Sequence, residues 1–259
     1  MTTSSFDQKK ITRYVRYSAA GQVSYGILDG DSVRELRGDI FKGAEPTGKT
    51  AKVSDVTLLA PCEPSKVLAI GINYRSHVGE RTAPGTPRVF LKLPTSIIGP
   101  GENIIFPPGA GNVHFEGEMV VVIGKKAKNV SKADAADYVF GVTAGNDVSE
   151  RDWQKGDPQW FRAKGSDTFG PLGPAIVQGL HYNDLLLQSR LNGVVKQSQR
   201  TSDLMFDVET IVSYISQFIT LLPGDVIYSG TPGQTQAMKT GDIIEVEVEG
   251  VGVLRNTIA

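Results

Sequence analysis

One cysteine in 259 residues, Cys62, leaves no internal disulfide and no thiolate cluster for a metal. Histidine is nearly as scarce. His77, His114 and His181 are the full set, none spaced H-x-x-x-H, which argues against the common zinc sites. No run of like charge occurs. With 27 basic and 28 acidic residues the net charge is −1, so neither nucleic acid nor a membrane surface is an expected partner. No apolar run approaches the roughly 20 residues that cross a bilayer. The opening MTTSSFDQKK lacks an apolar stretch behind a basic cluster, which predicts a cytoplasmic protein.

Glycine and proline are plentiful, and they punctuate short apolar runs: KVLAIGINY, RVFLKLP, SIIGPGENIIFPP, MVVVIG, YVFGVTAGND and GPAIV. That grammar predicts a strand-rich fold with few helices. Residues 1–57 read as a small N-terminal β domain, a meander with turns at Ala20-Gly21 and Asp29-Gly30. The stretch KGAEPTGKTAKVSDVTLLAPCEPSK, which runs across this boundary, reads as a linker or surface crossing, and a main domain is expected over 58–259. Three helices are expected. SKADAADYV is one. A second starts at SERDWQ with a capping box from Ser149 to Asp152. The clearest spans 207–222, with Asp207 as N-cap, helical spacing of Ile211, Ile215, Phe218, Ile219 and Leu222, and Pro223-Gly224 as the stop. GQTQAMKT lacks the second glycine of a phosphate-binding loop.

The stretch HFEGEMVVVIG carries the most chemistry. As a strand, it puts Glu116 and Glu118 on one face with Val120 and Val122, and Met119, Val121 and Ile123 on the other. Both faces are apolar further along, so the strand is expected to be buried on both sides. Carboxylates entering such a place need a metal, a basic side chain or a shared proton. IIEVEVEG near the C-terminus is an internal control. Glu245, Glu247 and Glu249 share a face with no valine, the pattern of a half-exposed strand.

Three further stretches can meet the two glutamates. GINYRSHVGE holds His77 and Glu80 three apart, so one helical turn pairs an imidazole with a carboxylate, which suits a general base. Alone, the pair reads equally as a surface histidine beside a glutamate. VFGVTAGNDVSERDWQ places Asp147 after a strand and Arg151 on the helix beyond, where Arg151 can reach an anionic substrate. FRAKGSDTFGPLGP sets Lys164 between aromatics and a Gly/Pro loop; alone, it reads as a solvated lysine. Glu116, Glu118 and Asp147 make an all-oxygen set of the kind that hard cations such as Mg²⁺, Mn²⁺ or Ca²⁺ prefer.

In this order, the motifs GINYRSHVGE, FEGEMVVVIGK, GNDVSERDWQ, RAKGSDTFGPLGP and SGTPG resemble the fumarylacetoacetate hydrolase superfamily. The likeness runs from PSKVLAIGINYRSHVGE to GVGVLRN, and the N-terminal segment resembles the small variable domain of many members. The resemblance implies a mixed β-rich (α+β) fold, a β-sandwich roll with a small N-terminal domain, and a homodimer. It implies that Glu116, Glu118 and Asp147 hold Mg²⁺ or Mn²⁺, with Ca²⁺ as a substitute, and that His77 and Glu80 form the catalytic dyad. Arg151, Lys164 and Thr231 would hold the substrate carboxylate or steady its developing charge. The chain departs from the family at TPGQTQAMKTGD, at His114-Phe115 and at Ala69, none of them in the metal set or dyad.

The implied partner is a small 2-oxo or diketo acid, chelated so that the cation stabilises an enolate. First among the implied reactions is hydrolysis of a C–C bond in an acylpyruvate- or fumarylpyruvate-like diketo acid. Second is decarboxylation or isomerisation of a 2-oxo-dioate in aromatic catabolism, of the oxaloacetate decarboxylase or 2-hydroxyhepta-2,4-diene-1,7-dioate isomerase type. A non-catalytic cation-binding β module is the reading from another class.

Overall fold

The computed structural model describes residues 10–79 and 82–259. A long mixed sheet organises the chain. Its strands run in the order Glu45–Lys52, Ser32–Arg37, Gln22–Asp29, Thr12–Ala19, Gly170–Gln178, Val139–Asn146, Gly117–Ile123, Val226–Tyr228, Val67–Gly71 and Arg88–Lys92. Neighbours are antiparallel except Val226–Tyr228 with Val67–Gly71. The N-terminal meander joins this sheet directly, since Thr12 is paired with Gln178. A second sheet carries Val194–Arg200, Leu186–Leu191, Ile243–Val248, Gly252–Ile258 and Asn103–Ile104. The fold is mixed and β-rich, as the punctuated apolar runs require.

The strand Gly117–Ile123 lies at the centre, and every residue of it is buried. Met119, Val121 and Ile123 pack with Val246 and Leu254 of the second sheet and with Ile211 and Ile215 of a helix. Val120 and Val122 pack on the opposite side with Ile176, Val226 and Tyr228. The control strand behaves as its pattern demands. Ile244, Val246 and Val248 are buried, while Glu245 and Glu247 stay partly exposed and meet Arg255 and Arg190.

Several local expectations are corrected. The supposed linker contains the strand Glu45–Lys52, an edge strand whose polar residues face water. SKADAADYV forms only a 3₁₀ turn, Ala135–Tyr138. The helix Arg151–Gly156 is capped by Glu150, whose carboxylate accepts from Trp153 N at 2.6 Å, while Ser149 is in a strand. The long helix starts at the expected cap, with Asp207 accepting from Thr210 N at 2.8 Å, but ends at Phe218. There the chain turns away because Leu221 exchanges both backbone hydrogen bonds with Ala127, at 2.9 Å each. A ladder pair satisfies those groups where a further helical turn would leave Ala127 without a partner.

Candidate active site

Sheet register assembles the site. Gly117 pairs with Asn146, so Glu116 and Asp147 lie side by side, with Asp147 N donating to Glu116 O at 2.8 Å. Glu118 follows on the same strand. One oxygen from each of the three carboxylates lies within 4.8 Å of the others, and all three residues are buried. Three like charges in one buried place are unfavourable unless compensated.

Cations compensate two of them. Lys164 Nζ, itself buried, sits 2.7 Å from Glu116 Oε2 and 2.6 Å from Asp147 Oδ2. Arg151 Nη2 reaches Glu116 Oε1 at 2.5 Å and Thr235 Oγ1 at 2.8 Å. Lys92 Nζ, fully buried, is 2.7 Å from Asp147 Oδ1 and also donates to Lys164 O. Burial alone would raise the Glu116 carboxyl, but Lys164 and Arg151 overcome it and hold the group well below the usual range. Glu118 makes no ion pair among the described residues. Among the described residues its hydrogen-bond donor is Gly230 N, at 2.6 Å. Burial, and then the charges of Asp147 and Glu116, push its carboxyl far up. Gly230 can approach so closely because it adopts φ 110, and a Cβ there would lie 2.6 Å from Asn73 Cβ.

This arrangement fits a hard divalent cation. The donor set is entirely carboxylate oxygen, without thiolate, and one buried carboxylate makes no ion pair among the described residues. A cation between the three oxygens would supply the charge that Glu118 needs to ionise.

Above the carboxylates opens a cleft of about 470 Å³. Its floor holds the three carboxylates, Lys164 and Thr231; Phe90 and Trp160 form an apolar wall; Arg88 and Lys155 are exposed at the rim. Phe90 and Trp160 meet edge to face at 5.3 Å, and Lys164 Nζ lies 5.0 Å from the Phe90 ring centre. His77 lines the cleft from the short helix Arg75–Val78, with Nδ1 2.7 Å from Gly233 O. A carbonyl can only accept, so Nδ1 carries the hydrogen and the neutral ring has its lone pair on Nε2. The expected partner Glu80 lies outside the described residues. Thr231 Oγ1 donates to Gly117 O at 2.8 Å and accepts from Gln197 Nε2 at 2.8 Å.

Sequence reasoning missed Lys92, Gly230, Gln197 and Thr235. A signal existed for Lys92, a lysine inside the apolar strand RVFLK that shares a face with Phe90 and Arg88. Thr235 comes from the departing loop, which forms a wall here: it touches Arg151, and its Oγ1 is 3.0 Å from His114 Nδ1. Burial, and then Arg151, lower the pKa of His114.

Comparison with known proteins identifies the family. Residues 66–259 match the family described as fumarylacetoacetate (FAA) hydrolase C-terminal, and residues 12–61 match that described as Rv2993c-like, N-terminal. The chain belongs to the fumarylacetoacetate hydrolase family. Protein Rv2993c of Mycobacterium tuberculosis is 43% identical over 258 residues, spanning 95% of this chain and 97% of that one. The mitochondrial oxaloacetate tautomerase Fahd2a of Rattus norvegicus is 42% identical over 219 residues, 79% of this chain and 70% of that one. The crystal structure of 2-hydroxyhepta-2,4-diene-1,7-dioate isomerase from Mycobacterium marinum superposes with a TM-score of 0.90 at 42% identity, covering 96% of this chain and 98% of that one.

Proposed function

We propose that this chain is a divalent-metal-dependent enzyme that moves a proton at the carbon beside the keto group of a 2-oxo acid, as a tautomerase or isomerase. The observation that carries the reading is the charge of the floor. Lys92, Lys164 and Arg151, buried or half-buried, already face Glu116 and Asp147, so once a bound cation lets Glu118 ionise, the three carboxylates are offset by the three side-chain cations. Mg²⁺ or a similar ion held by Glu116, Glu118 and Asp147 would supply two positive charges and Lewis acidity toward the carboxylate and keto oxygens. The head of a 2-oxo acid carries one negative charge, and two once the enolate forms. The buried charge is therefore best matched by the enolate, which is the condition for lowering the barrier.

The protein's own groups perform the remaining work. Lys164 holds the acid's head on the floor, beside Thr231, which would have to turn its hydroxyl from Gly117 O to join it. His77, oriented through Nδ1 by Gly233, takes a proton from the carbon beside the keto group at Nε2 and returns it. The apolar walls exclude water from the enolate. The names of the tautomerase and the isomerase above support this reaction over cleavage. Hydrolysis of an acylpyruvate is the second reading. In a cleft of about 470 Å³ there is space for a water beside the substrate, and His77 would then activate that water.

Proton NMR in D₂O separates the two. With Mg²⁺ and a 2-oxo dicarboxylate, deuterium should enter at the carbon beside the keto group without a new product, and His77→Ala should abolish that exchange. Release of pyruvate from a diketo acid, without exchange into the unreacted substrate, would overturn the tautomerase reading in favour of hydrolysis.

A further inference from the structure

Two elements climb from the floor of the cleft to its rim, and each repeats the same device. The edge strand Arg88–Lys92 has Lys92 on Asp147 at its lower end. Two pleats up, on the same face, stands Phe90 against Trp160; two further up stands Arg88 at the rim. The helix Arg151–Gly156 has Arg151 on Glu116 at its lower end. Four residues on, along the same helical face, stands Lys155, also at the rim. Each element therefore places one cation against a floor carboxylate and a second at the mouth.

The roles of the two pairs differ. Lys92 and Arg151 are committed to carboxylates of the protein. Arg88 and Lys155 are exposed, line the cleft and enter no ion pair among the described residues. Between floor and rim stand the paired rings of Phe90 and Trp160, an apolar wall that suits a short carbon chain. Four helical residues rise about 6 Å, so the Lys155 backbone stands about one turn above Arg151. Along the strand, Arg88 lies about 13 Å from Lys92, within reach of the same space once its long side chain bends back.

We propose that Arg88 and Lys155 form a second anion subsite, which takes the far carboxylate of a 2-oxo dicarboxylate and sets the preference for dicarboxylates over monocarboxylates. The inference rests on the floor binding the 2-oxo acid head, as argued above. The wall orders the carbon chain, and the rim pair supplies charge-assisted hydrogen bonds to the second carboxylate.

Calorimetry in the presence of Mg²⁺ tests this with three probes: oxalate, which fills only the floor, and 2-oxoadipate and 2-oxohexanoate, which differ by a terminal carboxylate against a methyl. The unaltered chain should bind 2-oxoadipate at least tenfold more tightly than 2-oxohexanoate. Arg88→Ala and Lys155→Ala should each weaken 2-oxoadipate about three- to tenfold, and the double variant should erase the preference. Oxalate and 2-oxohexanoate should bind as before, and Arg88→Lys should keep part of the preference. Both residues are exposed, so the variants are expected to fold. Equal losses on both six-carbon acids, or no preference in the unaltered chain, overturn the subsite while leaving the floor reading intact. Failure of oxalate to bind overturns the floor reading, and the subsite with it.

Discussion

Lys92→Met is the most informative perturbation, because Lys92 is fully buried and reaches the substrate site only indirectly, through Asp147 and the backbone of Lys164. Methionine keeps the length and packing of the stem, so the loss is that of the ammonium. At 2.7 Å from Asp147, with side chains 0% and 2% exposed, this is a buried pair, and removing one partner from such a pair costs about 3–5 kcal/mol. For a chain of this size that is a fall in Tm of about 6–20 °C. The floor then holds three carboxylates against Lys164 and Arg151 alone. A divalent cation should restore part of the loss, since the added negative charge strengthens its binding.

The assay is thermal unfolding in EDTA and across a series of MgCl₂ or MnCl₂. The expected result is a lower Tm in EDTA and a larger rise with cation than in the unaltered chain. Lys66→Met is the control. It breaks the pair of Lys66 with buried Asp225, also at 2.7 Å but away from the floor, and its loss should be the same with and without cation. A Lys92→Met Tm equal to that of the unaltered chain in EDTA, or a deficit that ignores the cation, would refute the charge argument for the floor.

Other outcomes follow from the same structure. His77→Ala should lower kcat about 10²–10⁴-fold while leaving oxalate affinity in Mg²⁺ unchanged, whereas Lys164→Met should weaken oxalate; steady-state kinetics and calorimetry read the two separately. Asp207→Ala should cost about 1 kcal/mol at neutral pH through loss of the helix cap. Although burial would raise the Asp207 carboxyl, Lys132 and Thr210 lower it. Its contribution is thus present above the ordinary aspartate range and lost as pH falls through the depressed folded value, so urea unfolding of variant and parent should converge in acid. The edge strand turns Val89 and Leu91 toward solvent, and we propose it as the seam of the homodimer that the family resemblance implies; Leu91→Glu should shift sedimentation from dimer to monomer.

Much of this site was legible in the sequence, and the reason is periodicity. Glu116 and Glu118 share a face with Val120 and Val122, while Glu245 and Glu247 share theirs only with acid, and the two strands have opposite fates in the fold. Alternation foretells burial, and burial of a carboxylate foretells a compensating charge. What alternation does not encode is which charge. Lys92, Lys164 and Arg151 come from three elements, and only the sheet register and two short helices bring them to Glu116 and Asp147. Backbone donors are likewise invisible. Gly230 serves Glu118 through its N–H, and its side-chain-free approach to Asn73 is a property of the folded chain. The polar edge strand Glu45–Lys52 was misread because an edge strand and a linker share a composition, and pairing alone separates them.

The floor is a poor device for stability. Buried ion pairs recover little more than their desolvation cost, and apolar side chains of similar volume generally stabilise as well or better. Glu118 makes the case sharper, since it enters no ion pair among the described residues and the neighbouring carboxylates oppose its ionisation. A chain selected only to fold would place valine or leucine at these positions, as it does at Val120 and Val122 two and four residues further along the same face. The strand changes chemistry at the point where it reaches the cleft, and there the cost in stability coincides with access to a ligand. Local conflict of this kind marks a functional site. It also sets an expectation for substitution. Replacing all three carboxylates, Lys92, Lys164 and Arg151 together by apolar residues of similar volume should leave a folded chain at least as stable as the parent in EDTA, with cation response and turnover both gone. Unfolding of that variant would show that the cluster is needed for the fold itself.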